Sequence, residues 1–347
     1  SEINTCIACN QACLDHAFKN QRVSCLVNPR ACYETELNYT PAEKIKTVAV
    51  VGAGPAGLAY ATVAAMRGHK VTLFEKSGEI GGQFNLAKTI PGKEEFHETI
   101  RYFNKQLEKS TVTVKLNQEA GLDDVRAFDH VVIATGVRPR KTNIEGEDHA
   151  KVISYIDVLR HKVEVGSRVA IIGSGGIGFD VATYLSHPSH PPAIDSYLDE
   201  WGIDPKNEAR GGMEGIEENF TPNPKSIAMF QRSSHKPGSK LGKTTGWIHR
   251  SSLKKRNVQM FNNIQYVKIN DEGLHYQVKT SKGDFGEVQV FACDNVVICA
   301  GQLPNKELFE QLQKNNISVE CIGGSDVAAE LDAKRAINQG SRSAASL

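Results

Sequence analysis

A glycine pattern that occurs twice, each time directly after an apolar run, constrains this chain most. Thr47-Val48-Ala49-Val50-Val51 precedes Gly52-Ala53-Gly54-Pro55-Ala56-Gly57, and Arg168-Val169-Ala170-Ile171-Ile172 precedes Gly173-Ser174-Gly175-Gly176-Ile177-Gly178. Runs of this kind suit strands buried on both faces. The glycine spacing suits a strand-to-helix loop that cradles a pyrophosphate. The first glycine makes the tight turn, the second lets the backbone approach the phosphates, and the third lets helix and strand pack closely. The helix that follows offers unpaired N–H groups and the positive end of its dipole to the anion. In the first copy, Leu58 to Arg67 reads as an Ala-rich helix ended by Gly68. Lys70 to Phe74 reads as the next strand and ends in Glu75, placed to bind ribose hydroxyls. Gly52, Gly54, Ala56, Gly57 and Glu75 are therefore the candidate residues of a complete βαβ dinucleotide site.

The second copy carries Gly173, Gly175 and Gly178 and begins a helix near Phe179 to Leu185. Its next strand is delayed: residues 187–225 are rich in Pro, Gly, His and Asn and read as a surface insertion. The strand Ser226 to Phe230 then ends in Gln231-Arg232-Ser233-Ser234-His235-Lys236, with no acid. An acid there would repel a 2′-phosphate, whereas Arg232 can grip one bidentately. NADPH is therefore expected over NADH, with Arg232 as the discriminating residue and Ser234 and Lys236 as secondary candidates. The segment Gly242 to Arg250 (GKTTGWIHR) suits a nucleotide cleft or a solvated basic loop equally and is assigned no role.

Four cysteines open the chain as Cys6-x2-Cys9-x3-Cys13-x11-Cys25. Three thiolates on one tight loop, closed by a fourth farther along, suit an iron–sulfur cubane beside nucleotide-binding machinery. A zinc site also takes four thiolates, usually as two C-x2–4-C pairs, and stays open as the alternative. Cys32 reads as structural, and Cys293 and Cys299 as packing residues. No C-x4-C follows the first helix, so a disulfide-exchange mechanism is not expected.

Composition narrows the partners. With 41 basic against 40 acidic residues, the net charge is +1. No nucleic-acid footprint or polybasic membrane anchor is expected from that balance. No apolar run reaches a membrane-spanning length and no signal peptide is evident, so the expected location is cytoplasmic. The polar start without Met suggests a processed or trimmed beginning.

Glu75-Lys76-Ser77-Gly78-Glu79-Ile80-Gly81-Gly82-Gln83 resembles an extension found in two-dinucleotide-domain flavoproteins. That likeness favours FAD in the first site, with Gln83 and Lys93 toward the flavin end and Ala120 near the adenine. Asp129 to Gly136, with its Ala-Thr-Gly turn, resembles the strand that closes such a site. Asp294 to Gly301 repeats the theme, and the Asp326 of Gly323-Gly324-Ser325-Asp326 resembles the acid that binds the ribityl chain. A helix is expected from Val327 to Ser343, its N-terminus toward the flavin.

Together with the cysteine set, the GKTTGWIHR segment and the GGSDVAAELDAKRAINQG end, these motifs resemble a known group across essentially the whole chain. It is the old-yellow-enzyme and trimethylamine dehydrogenase-like group that includes bacterial NADPH-dependent 2,4-dienoyl-CoA reductase. The resemblance implies an electron path from NADPH through FAD and a [4Fe-4S] cluster, held by Cys6, Cys9, Cys13 and Cys25, to FMN. In that group the FMN sits in an N-terminal (β/α)8 barrel ahead of the cysteines. Only five residues precede Cys6 here, so the chain is expected to be the C-terminal portion, partnered by that barrel and unable to complete dienoyl reduction alone. No side chain is assigned as general acid or base, because hydride transfer to a flavin needs none. Two alternatives stay open: a free-standing NADPH:acceptor reductase subunit, and a non-catalytic zinc and nucleotide-binding module.

The expected fold is α/β, with two Rossmann-like dinucleotide-binding domains. Residues 1–45 form a cluster-bearing segment of loop and short helices. Residues 46–155 and 290–347 form a FAD domain, split by an inserted NADPH domain at 156–289.

Overall fold

Every strand that carries a fingerprint lies at the centre of a five-stranded parallel sheet. The computed structural model describes residues 2–187, 193–280, 283–328 and 332–347. Contacts divide the chain into two units. One comprises residues up to 88, 95–140 and 302–347, and the other 89–94 and 141–301.

In the first unit, β1 (Thr47–Val51) is flanked by β2 (Lys70–Phe74) and β4 (His130–Ile133), with β3 (Thr113–Lys115) and β15 (Val319–Cys321) at the edges. All four pairings are parallel. Val48, Ala49 and Val50 are wholly buried, as a strand covered on both faces requires. The first fingerprint helix, Pro55–Met66, packs over one face and buries Leu58, Ala61 and Ala64. Phe96–Lys109 adds an amphipathic helix whose inward stripe is Thr99, Ile100, Phe103 and Leu107. The last helix, Ala333–Ser346, is capped by the Asp332 carboxylate, which accepts from the Arg335 N–H. It begins later than the sequence suggests, and residues 329–331 of the expected span lie outside the described residues. A two-stranded ribbon, β5 (Val137–Pro139) with β14 (Gln302–Pro304), completes this unit.

The cysteine-bearing segment is docked on the same unit. Leu26 and Val27 are buried in its core, and Ile7, Cys9 and Cys25 pack against that core. Apart from one short helix, Leu14–Ala17, residues 2–45 are loop and turn, as expected.

The second unit repeats the arrangement with β7 (Arg168–Ile172) at the centre. The sheet order is β6 (Val152–Ser154), β13 (Asn295–Ile298), β7, β8 (Ser226–Phe230) and β9 (Gln259–Phe261), parallel throughout. Because β13 pairs with β7, the chain leaves this unit after Gly301, later than residue 290 read from the sequence. A three-stranded antiparallel sheet, β10 (Ile264–Asn270), β11 (Gly273–Val278) and β12 (Gln289–Phe291), packs Tyr276 tilted and Phe291 edge-on against Phe230. The insertion carries the helix Ile194–Glu200; residues 188–192 lie outside the described residues. Arg256, with no exposed side-chain surface, ties it down by pairing with Glu200. No helix among the described residues is long and apolar enough to cross a membrane.

Candidate functional site

The first fingerprint loop is built by close backbone contacts that only glycine permits. A Cβ on Gly57 would stand 1.9 Å from the Gly52 carbonyl oxygen, and one on Gly52 (φ +108°) would stand 2.4 Å from the Ala134 oxygen. These two therefore hold helix, turn and strand together. Gly54 is different: a Cβ there would meet nothing within 4 Å, so its side opens onto free space. A backbone cradle that faces open space at the helix N-terminus is the shape a pyrophosphate needs. Glu75 is buried beside it. Its carboxylate accepts from the Ala53 N–H at 2.8 Å and from the Ser77 N–H and hydroxyl at 2.9 and 2.6 Å. The acid is thus held rigidly at the end of β2, where ribose recognition needs it.

Other predicted residues gather around this loop. A Cβ on Gly82 would lie 2.9 Å from the Gly54 Cα, so the turn that carries Gln83 rests on the cradle. Gln83 itself is exposed, and Ala120 is buried in the core beneath β2. Gly136 has φ +73° and touches Gly324, which brings the loop of Asp326 against the end of β4. Asp326 accepts from Gln339 Nε2 at 2.9 Å, and Gln339 Oε1 accepts from the Gly323 N–H at 2.8 Å. A Cβ on Gly323 would fall 2.8 Å from the Ala56 Cβ. The sequence reading missed Gly340, whose Cβ would fall 2.3 Å from the Ala56 oxygen, so it sets how closely the last helix approaches the first. The available signal was a glycine inside a helix, which costs about 1 kcal/mol and needs a packing reason.

The second loop has the same construction. A Cβ on Gly178 would lie 1.9 Å from the Gly173 oxygen, whereas Gly175 and Gly176 face open space. Gly173 (φ +109°) abuts the Cys299 carbonyl at the end of β13, and Gly301 (φ +84°) turns the chain just beyond. The Ser174 hydroxyl is buried and finds no partner, which suits a site completed by a polar ligand. Arg232 stands exposed past the end of β8. The unassigned GKTTGWIHR segment lies against this loop: the Gly238 N–H donates to the Ser174 oxygen, and Arg250 donates to the Gly238 oxygen. Lys93 also falls in this unit, 2.6 Å from Asp180 on the fingerprint helix Gly176–Ser186. Burial, with Lys93 adding to it, holds nearby His249 below the usual imidazole range.

The four cysteines lie on one folded loop, with Cys6 and Cys13 exposed and Cys9 and Cys25 partly buried. Ala8 and Asn10 adopt left-handed φ values of 51° and 58°, which turn the backbone sharply between Cys6 and Cys13. The Ala8 N–H points at the Cys6 sulfur at 3.4 Å, and the Gln11 N–H bonds to Cys9. The Ser24 N–H to Ala12 oxygen bond of 2.8 Å brings Cys25 beside Cys13. Burial pushes the Cys9 thiol up, and Cys13, Cys25 and Cys6 each add to the rise, so the four groups feel one another. Among the described residues no group of three or more His, Cys, Asp or Glu side chains is placed so that it could hold a metal ion.

Residues 46–333 match the family described as pyridine nucleotide-disulphide oxidoreductase. A metal reductase of Desulforamulus reducens is 31% identical over 93% of this chain and 47% of its own length. A cinnamate reductase of Clostridium sporogenes is 39% identical over 53% of this chain and 28% of its own. The solved structure of a 2-naphthoyl-CoA reductase complex has a TM-score of 0.82 and 30% identity, covering 99% of this chain and 46% of that one. The chain thus spans about half or less of the length of the relatives it matches. All eight cysteines are free, and the first fingerprint helix carries none. Fold, twin dinucleotide cradles and family match agree: the chain belongs to the pyridine nucleotide-disulphide oxidoreductase family, as a flavin-dependent, NAD(P)-linked oxidoreductase.

Proposed function

We propose that the chain is the NADPH-oxidising electron-transfer module of a larger reductase that carries FAD, a [4Fe-4S] cluster and an FMN barrel, as 2,4-dienoyl-CoA reductase of unsaturated fatty acid β-oxidation does. One observation carries this reading. Two cradles of the same construction differ at the ribose end, where one has a buried carboxylate, Glu75, and the other an exposed guanidinium, Arg232. A carboxylate suits a ribose diol and a guanidinium suits a ribose phosphate, so the pair accommodates FAD and NADPH in one chain.

FAD would be held by the Gly52–Gly57 loop, Glu75, Ala120, Gly136 and Asp326, with Gln83 above the cradle. When bound, it supplies a group that accepts two electrons as a hydride and releases them singly. The chain's own part is to orient. Gly54 and Gly175 leave room for the phosphates, and Glu75 is held in place by three hydrogen bonds before any ligand arrives. The Lys93–Asp180 pair places a fixed charge pair on the second fingerprint helix. Cys6, Cys9, Cys13 and Cys25 would hold the cluster.

The substrate class favoured is an unsaturated CoA thioester. The motif resemblance to dienoyl-CoA reductase supports it, as does the 30% identity over nearly the whole chain to 2-naphthoyl-CoA reductase. An anaerobic preparation tests the module: visible spectrum, iron and sulfide analysis, then addition of NADPH or NADH. Expected are flavin and iron–sulfur absorbance, both bleached by NADPH at lower concentration than by NADH. Zinc without iron or sulfide would sink the cluster assignment, and flavin that NADPH leaves unbleached would sink the electron-entry role.

A further inference from the structure

The two dinucleotide loops share backbone hydrogen bonds at three matched places, which sets one chemical difference between them in relief. The Gly52 N–H donates to the Phe74 oxygen, and the Gly173 N–H to the Phe230 oxygen, both at 2.8 Å. Glu75 and Gln231 each follow those phenylalanines and take their backbone partners from the neighbouring strand end, Lys115 and Phe261. Two residues on, the Ser77 oxygen accepts from Asn117, and the Ser233 oxygen accepts from Asn263, both at 2.9 Å. Asn117 and Asn263 share left-handed φ values of 55° and 56°. Glu75 and Gln231 thus occupy one position in two copies of the same loop.

Their side chains do opposite things. The Glu75 carboxylate is an acceptor and gathers N–H groups toward itself. The Gln231 amide is a donor: Nε2 binds the Ser233 oxygen at 3.2 Å and also the His235 oxygen. Asn262, from the turn between β9 and β10, donates Nδ2 to the Ser234 oxygen at 2.9 Å and the His235 oxygen at 3.3 Å. Two amides therefore engage three successive carbonyls of the 233–235 loop. A phosphate is an acceptor only, so a carbonyl oxygen facing it is repulsive and an N–H or cation is attractive. With those carbonyls occupied, the loop presents Arg232, His235 and Lys236, all exposed, and no Asp or Glu occurs from residue 219 to 270.

We propose that Gln231 and Asn262 are positioning residues that set preference for a 2′-phosphorylated dinucleotide, by tying down the carbonyls of the loop that follows β8. This rests on the reading of the second site as an NADPH site and deepens it, because Arg232 alone supplies charge but no fixed place for the phosphate.

Calorimetric titration of the full chain with adenosine 2′,5′-bisphosphate and with 5′-AMP separates the two ideas. The native protein is expected to bind the bisphosphate at least about ten-fold more tightly. Asn262→Ala and Gln231→Leu each remove hydrogen bonds worth about 0.5–1.5 kcal/mol, so each should lower that ratio by about 3- to 10-fold while 5′-AMP affinity holds. Gln231→Glu should abolish the preference, since it restores the acceptor of the first site. If these variants keep the native ratio while Arg232→Ala loses it, the positioning role is overturned and the NADPH reading stands. Equal loss for both probes would also overturn it, by showing a merely structural role. If the native protein shows no preference, both fall together.

Discussion

Replacing Gly57 with alanine tests the way the first dinucleotide cradle is assembled. The added Cβ would sit 1.9 Å from the Gly52 oxygen, about 1.1 Å short of the 3.0 Å that Cβ atoms keep, and 3.2 Å from the Ala134 Cβ. The obstacle is backbone in a strand-to-helix turn, so no side chain can swing aside. The helix Pro55–Met66 must retreat from β1, and a gap of 0.5–1 Å already forfeits a quarter to a half of each dispersion contact. Ordinary overpacking costs about 1–3 kcal/mol, and this case belongs at the upper end. Against it stands at most about 1 kcal/mol from the better helix propensity of alanine. A loss near 3 kcal/mol corresponds to a fall of about 6–12 °C in Tm for a unit of this size. Gly54→Ala is the matched control. Its Cβ meets no protein atom and its φ of −78° suits any residue, so the ligand-free Tm should hold while FAD affinity falls. Thermal unfolding followed by circular dichroism, with flavin retention on gel filtration, reads both. A Gly57→Ala protein that melts within about 2 °C of the native one and keeps its flavin would refute the packing argument. A Gly54→Ala protein that binds FAD normally would refute the cradle.

Arg232→Ala should weaken NADPH binding by about 10- to 100-fold and leave NADH unchanged, measured as the ratio of kcat/KM for the two cofactors with an artificial acceptor. Glu200→Ala should destabilise the second unit by about 3–5 kcal/mol, because it strands the fully buried Arg256 guanidinium, whose Nε and Nη1 already lack partners. The double change Glu200→Leu with Arg256→Met should recover most of that loss; urea unfolding would show it. Burial pushes the Glu320 carboxyl up, but hydrogen bonds from His130 and Ser343 outweigh it and hold the group below the usual carboxylate range. A depressed carboxylate adds stability above its unfolded pKa of about 4.3 and loses it as pH falls through the folded value. Glu320→Gln should therefore flatten the acid limb of a urea-midpoint profile; an unchanged limb would remove Glu320 as its source. Cys13→Ala should abolish bound iron and sulfide in an anaerobic preparation, whereas Cys32→Ala should leave them intact, and the reverse result would redraw the ligand set.

Periodicity and glycine spacing are local signals, and what they encode locally was legible. Both fingerprint loops, the buried strands before them and the acid at Glu75 follow from residues close in sequence. The cysteine spacing likewise announces one loop with four thiols. Distant pairings were not legible in the same way. Lys93 lies 87 residues from Asp180, and nothing in either neighbourhood names the other. The antiparallel sheet β10–β12 was missed because its strands mix polar and apolar residues, and their inward face is defined by residues distant in sequence, Phe230 among them. Val296 to Ile298 read as a closing strand, but its sheet was set by register with Ala170 to Ile172, which a single strand does not specify.

By itself, the sequence determined the fold class, the two glycine-rich strand-to-helix turns and the residue types beyond them, an acid at Glu75 and a guanidinium at Arg232. Each is a matter of residue type at fixed spacing along one βαβ unit. Tertiary structure alone decided which backbone contacts make the glycines obligatory, how the last helix closes on Ala56, and which side chains hold the loops beyond Glu75 and Gln231. Those depend on atoms far apart in the chain meeting within about 3 Å. A difference as small as a carboxylate that accepts and an amide that donates acquires its meaning only there.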